Sequence, residues 1–239
     1  MKIQVYPDDD TIARKAAAVI AADMRAAVTA RRRYVMAVSG GHTPWLMLRA
    51  LAAEPLPWRQ VHVVQVDERV APADDPDRNL AHLHTSLLTR VPLPPDHMHA
   101  MPVEAADLDR AAAQYASTLR DVAGSPPVLD LVHLGLGPDG HTASLVPGAP
   151  ALDVTDADVA VAGPYQGHRR MTLTFPIINR SRLVLWLVTG PEKAAILVRL
   201  RDGDPSIPAA RVRQDRALLL ADRAAAERLG TNEEQEVQK

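Results

Sequence analysis

Apolar positions along this chain fall into two alternating rhythms. Short, nearly unbroken apolar runs occupy residues 3–6, 34–38, 61–66, 129–134, 171–175, 183–188 and 217–220. Such runs, bounded by glycine, proline and acidic residues, read as strands. Between them lie stretches of helical period. In the first, Ile12, Ala16, Val19, Ile20, Met24, Ala27 and Val28 recur at the spacing of one helix face. Asp8, Asp9 and Asp10 stand before it as capping carboxylates. Pro44 suits the first turn of a helix running to about Ala53. Further helices are expected over 79–88, 108–122, from Lys193 to about Leu200, and after the last strand through Leu229. The run 129–134 has almost no polar position, as in a strand covered on both faces.

Alternation of this kind predicts an α/β fold: an open, mostly parallel twisted sheet with helices on both faces, Rossmann-like, with room for a small additional lobe. Residues 1–230 read as one domain and 231–239 as a polar, frayed tail. The proline-rich stretches near Pro92 and Pro126 look like rigid connections within that domain.

Composition narrows the classes. The 239 residues are 47% hydrophobic and 23% charged, and the formal net charge is -2. That balance gives no positive field for nucleic acid or an anionic membrane. Cysteine is absent, which excludes disulfides and a thiol nucleophile and suits a reducing compartment. No apolar run reaches the length of a membrane span or resembles a secretion signal, so the cytoplasm is the default expectation.

Chemistry gathers in four loops, each following a strand. In an open parallel sheet such loops meet at one edge, where ligands bind. Ser39-Gly40-Gly41-His42-Thr43 offers close backbone approach and the N-terminus of a helix to an anion, without the spacing of a Walker loop. Asp67-Glu68-Arg69 puts two acids beside a guanidinium. Gly135-Leu136-Gly137-Pro138-Asp139-Gly140 matches a dinucleotide fingerprint in outline only. Asp139 would repel a pyrophosphate, and Pro147, Gly148 and Pro150 cut short the helix that motif needs. The loop instead sets Asp139 two residues from His141, a base that is neutral near pH 7 with an ordinary pKa of about 6.5. The fourth loop, Thr189 to Lys193, opens a helix with a cation, a placement that makes sense beside a bound anion. Arg170, at the start of a strand, is a second candidate phosphate contact. His82 and His84, two apart on an expected helix, do not face each other, and His97 and His99, on one strand face, are two ligands where a zinc site needs more. No Gly-x-Ser-x-Gly elbow is present.

These segments, with Arg170-Met171-Thr172-Leu173-Thr174 and Thr189-Gly190-Pro191-Glu192-Lys193-Ala194, resemble in order the glucosamine-6-phosphate isomerase/6-phosphogluconolactonase family. After His141 the chain continues Thr142-Ala143-Ser144-Leu145-Val146-Pro147-Gly148, the form of the lactonase branch. Two departures stand out: Val146 replaces the usual phenylalanine, and Arg78 precedes Asn79 where serine is common. The resemblance implies hydrolysis of 6-phospho-D-glucono-1,5-lactone to 6-phosphogluconate, in the oxidative pentose phosphate pathway, with no cofactor and no metal. Water would attack C1 with His141 as base, oriented by Asp139 or Asp67. Ser39, Gly40, Gly41, Thr43, Glu68, Arg69, Arg78, Asn79, Arg170 and Lys193 are the expected substrate and phosphate contacts. The acting unit would be a monomer or homodimer, with no nucleic-acid or membrane partner.

Two alternatives remain. A deaminase of the same family would carry a Phe-Asn-Glu-Pro type sequence after its histidine, and this chain lacks that glutamate. A non-catalytic sugar-phosphate sensor would not need the acid–histidine pair, and with a strand expected from Ile3 no DNA-binding module is expected ahead of it.

Overall fold

The computed structural model describes residues 1–230 and the backbone of Glu236–Val237. Chain order is β1 (Lys2–Tyr6), α1 (Asp9–Arg31), β2 (Tyr34–Val38), α2 (His42–Ala52), β3 (Val61–Gln65), β4 (Asp67–Arg69), α3 (Asn79–Ser86), β5 (Met98–His99), α4 (Leu108–Ala123), β6 (Leu131–Gly135), β7 (Val159–Tyr165), β8 (His168–Leu173), α5 (Phe175–Arg180), β9 (Leu183–Val188), α6 (Ala194–Arg201), β10 (Ala217–Asp222) and β11 (Glu236–Val237). Asp8 starts α1 as the acidic run predicts, its carboxylate accepting the Thr11 N–H at 2.7 Å.

Eight strands form one parallel sheet in the order β11-β1-β10-β9-β6-β2-β3-β5. Its central strands are buried on both faces, which is why their sequences run apolar without a break. Tyr34, Met36 and Val38 face α1 and α2, while Val35 and Ala37 face the opposite core with Trp186 and the inner side of α4. Strands β2 and β6 are neighbours, yet the chain leaves β2 over one face and β6 over the other. Their divergence opens a crevice at the carboxyl edge.

The additional lobe is a three-stranded antiparallel sheet, β4-β8-β7, set beyond the end of β3. Three expectations shift here. The strand read over 171–175 lies at His168–Leu173, and Phe175 already belongs to α5, with Pro176 in its first turn. Strand β7 was not foreseen, because Gly163 and Pro164 interrupt its apolar pattern. No helix forms between β10 and Leu229, where the chain makes turns. The Asp222 carboxylate accepts the N–H groups of Gly190 and Ala225 and so binds that segment to the β9 loop. Of the tail expected to fray, the backbone of Glu236–Val237 runs beside β1, and the rest lies outside the described residues. No helix among the described residues is long and apolar enough to cross a membrane.

Candidate active site

The loops after β2, β3, β6 and β9 meet at the carboxyl edge around a cleft of about 250 Å³. Ser39, Gly40, Gly41, Asp67, Arg69, Asn79, His141, Arg170 and Lys193 all line it. Segments spread over 39–193 therefore share one cavity. The loop after β6 enters no helix before residue 150, as its prolines predict, so nothing there completes a dinucleotide cradle.

One wall carries the candidate base. His141 Nδ1 lies 2.5 Å from Asp139 Oδ1, and the His141 backbone N–H donates to the same oxygen at 3.1 Å. An ionised carboxylate only accepts, so Nδ1 holds the proton and Nε2 is left as the acceptor. Burial pushes the Asp139 carboxyl up, but the hydrogen bonds from His141 outweigh it and hold the group below its usual value. The loop closes through the Gly137 N–H to His141 C=O bond, 2.8 Å, so the imidazole folds back over Gly137. A Cβ at 137 would lie 2.0 Å from Nδ1, and only glycine permits that ring position.

The other wall is cationic. Arg69 on β4 and Arg170 on β8 are direct cross-strand partners. Like charges at such a spacing repel, which favours an anion between them. Each guanidinium also leaves its Nε buried with no hydrogen-bond partner. Arg69 Nη1 reaches Asn79 Oδ1 at 2.5 Å and Asp77 C=O at 2.7 Å. Arg170 Nη2 donates to Tyr165 C=O at 3.2 Å. Asn79 packs on Gly40, where a Cβ would fall 2.0 Å from the amide oxygen. Asp67 is buried between the walls. Burial raises its carboxyl above the usual range, against the Ser144 hydroxyl, which donates to Oδ2 at 2.6 Å, and the nearby Arg170 and Arg69.

Three expected contacts stand behind the cleft instead. Thr43 Oγ1 hydrogen-bonds Thr189 Oγ1 at 2.9 Å and so ties two loops together. Glu68 has no exposed surface: its carboxylate accepts from the Arg69, Asn79 and Leu80 N–H groups and from Gln65 Nε2, each at 2.8 Å. It satisfies the first orphan donors of α3. Arg78 is buried beside it, 3.3 Å from the Glu68 carboxylate, and donates to Ala71 C=O and to Glu104. Charge at a strand end reads as a site in sequence, but here burial turns two of those charges into scaffold.

Sequence reasoning missed Tyr165 and Gln166, which line the cleft, and Ser144, which holds Asp67. Tyr165 ends β7, and Gln166-Gly167 forms the hairpin turn with positive φ at both positions. A signal existed in Gly167, but Gln-Gly is not among the commonest pairs for such a turn. Among the described residues no group of three or more histidines and acids is arranged to hold a metal.

Comparison with known proteins gives a consistent result. A family model described as glucosamine-6-phosphate isomerases/6-phosphogluconolactonase matches residues 7–220. A 6-phosphogluconolactonase of Synechocystis is 37% identical over 95% of this chain and 98% of its own length. That of Mycobacterium tuberculosis is 39% identical over the same shares, 95% and 98%. The solved 6-phosphogluconolactonase of Trypanosoma brucei superposes with a TM-score of 0.83 at 27% identity, covering 96% of this chain and 98% of that one. With the four loops, their shared cleft and these likenesses in hand, the chain belongs to the glucosamine-6-phosphate isomerase/6-phosphogluconolactonase family.

Proposed function

We propose that the chain hydrolyses 6-phospho-D-glucono-1,5-lactone to 6-phosphogluconate, the reaction named for its relatives. The observation that carries this reading is the pairing, in one cleft, of an Asp139-held imidazole with the Arg69–Arg170 pair. The phosphate sits toward the arginines, Lys193 and the Gly40-Gly41 backbone, and C1 of the lactone faces His141 Nε2. Water adds to C1 as Nε2 takes its proton, giving a tetrahedral intermediate. The same proton passes to the ring oxygen as the C1–O bond breaks. Binding energy from the remote phosphate thus fixes the reacting carbon against the base. No cofactor takes part.

The deaminase alternative lacks support at the loop after His141, where residues 142–146 hold no acid. The deciding experiment is a coupled assay with freshly generated lactone, corrected for spontaneous hydrolysis, beside ammonia release from glucosamine 6-phosphate. Turnover in the first alone is expected. Ammonia release, or a lactone rate equal to the spontaneous one, would overturn the reading.

A further inference from the structure

Tyr165 stands between the two walls of the cleft. Its ring meets His141 edge-on, centroids 5.0 Å apart at 63°, and the Arg170 guanidinium lies over it at 5.5 Å. Its hydroxyl is 3.4 Å from both Asp139 Oδ2 and His141 Nδ1. A phenol has one proton to donate. Nδ1 already carries the proton directed at Asp139 Oδ1, so of these two atoms Oδ2 is the one that can accept from Tyr165. The two oxygens of Asp139 then have separate duties: Oδ1 holds the imidazole and Oδ2 is held by the phenol.

We propose that Tyr165 is a positioning residue, steadying the Asp139–His141 pair through Asp139 Oδ2 while its ring fixes the plane of the imidazole. The proposal rests on the hydrolysis reading for its catalytic consequence and on geometry alone for the contact. Tyr165 is carried by the β7–β8 hairpin, whose other strand bears Arg170. One hairpin therefore sets the base and half of the cationic pair in register. The Arg170 side chain adds a tie to the Tyr165 carbonyl. The phenol itself fits this role: burial and the Asp139 carboxylate both push it above the ordinary tyrosine range.

The test is a double-mutant cycle on lactone turnover with Tyr165→Phe, Asp139→Asn and the pair. Removing the hydroxyl is expected to lower kcat about tenfold, the lower end for a hydrogen bond to a charged group, with KM little changed. The acid limb of kcat/KM should move to higher pH, because Asp139 then turns its whole charge on the imidazole. In the Asp139→Asn background the same change should do almost nothing. A purely structural role would cost as much in both backgrounds and leave the limb in place. A second readout needs no substrate: ¹³Cζ NMR titration of the Tyr165 phenol, whose midpoint should fall in Asp139→Asn. A midpoint that does not move overturns the Tyr165 assignment whatever the substrate. Absence of turnover by the unaltered chain overturns the hydrolysis reading instead.

Discussion

Asp67 and Glu68 are adjacent acids with opposite work. The strand alternation of β4 sends one side chain into the cleft and the other into the base of α3. Glu68 is ringed by donors and by Arg78, so Glu68→Gln, which turns one acceptor oxygen into a donor facing N–H groups and removes the buried one of Arg78's two carboxylate partners, is expected to destabilise the protein by about 3 kcal/mol. Urea denaturation measures it, and a loss near zero would mean the carboxylate is not the cap described. Gly137→Ala acts the other way, on chemistry more than on stability. The added methyl takes the place of the imidazole, so kcat should fall toward the level of a His141 deletion while the fold, followed by circular dichroism, persists. Lys193→Ala should chiefly raise KM, since Lys193 lines the cleft and is proposed to hold the phosphate, away from the reacting carbon. A kcat loss with unchanged KM would remove it from that role.

Elements decide how much of this was readable in advance. The strands 34–38 and 183–188 are found at those residues because a doubly covered strand needs an unbroken apolar run. The four ligand-edge loops follow from the same logic, since parallel strands put their carboxyl ends on one side. The antiparallel lobe was hidden: β7 carries glycine and proline, β4 is three residues long, and its pairing with β8 spans about a hundred positions of sequence. Tyr165 was missed with it. Glu68 and Arg78 look like contacts in the sequence because burial, unlike charge, is a property of the packed elements. The β3–β5 edge makes a further case. His62 Nδ1 lies 3.0 Å from His99 Nε2, and its ring stacks on His97 at 4.0 Å. Burial and then the two neighbouring histidines lower the His62 pKa from 6.5 to about 4, and burial lowers that of His133 to about 3. A histidine depressed in the folded state binds fewer protons there than when unfolded. Its contribution to stability is whole above pH 6.5 and is lost as the pH falls from there toward 4. Thermal melting should therefore show Tm dropping across that window, and less steeply in His62→Gln. An equal slope in the variant would contradict the assignment.

At the scale of the whole molecule, one cleft must serve two ends of one substrate. The product, 6-phosphogluconate, should raise Tm in proportion to ln(1 + [L]/Kd), because it binds the folded chain alone. Arg170→Ala should weaken that shift. His141→Ala should leave it nearly intact, since the base contributes orientation and proton transfer more than affinity. The most direct measurement of the central claim is thus made on His141→Ala, taking lactone turnover and 6-phosphogluconate affinity from the same preparation. The account predicts turnover reduced by about 10²–10⁴-fold with affinity little changed. Turnover equal to that of the unaltered chain would contradict it.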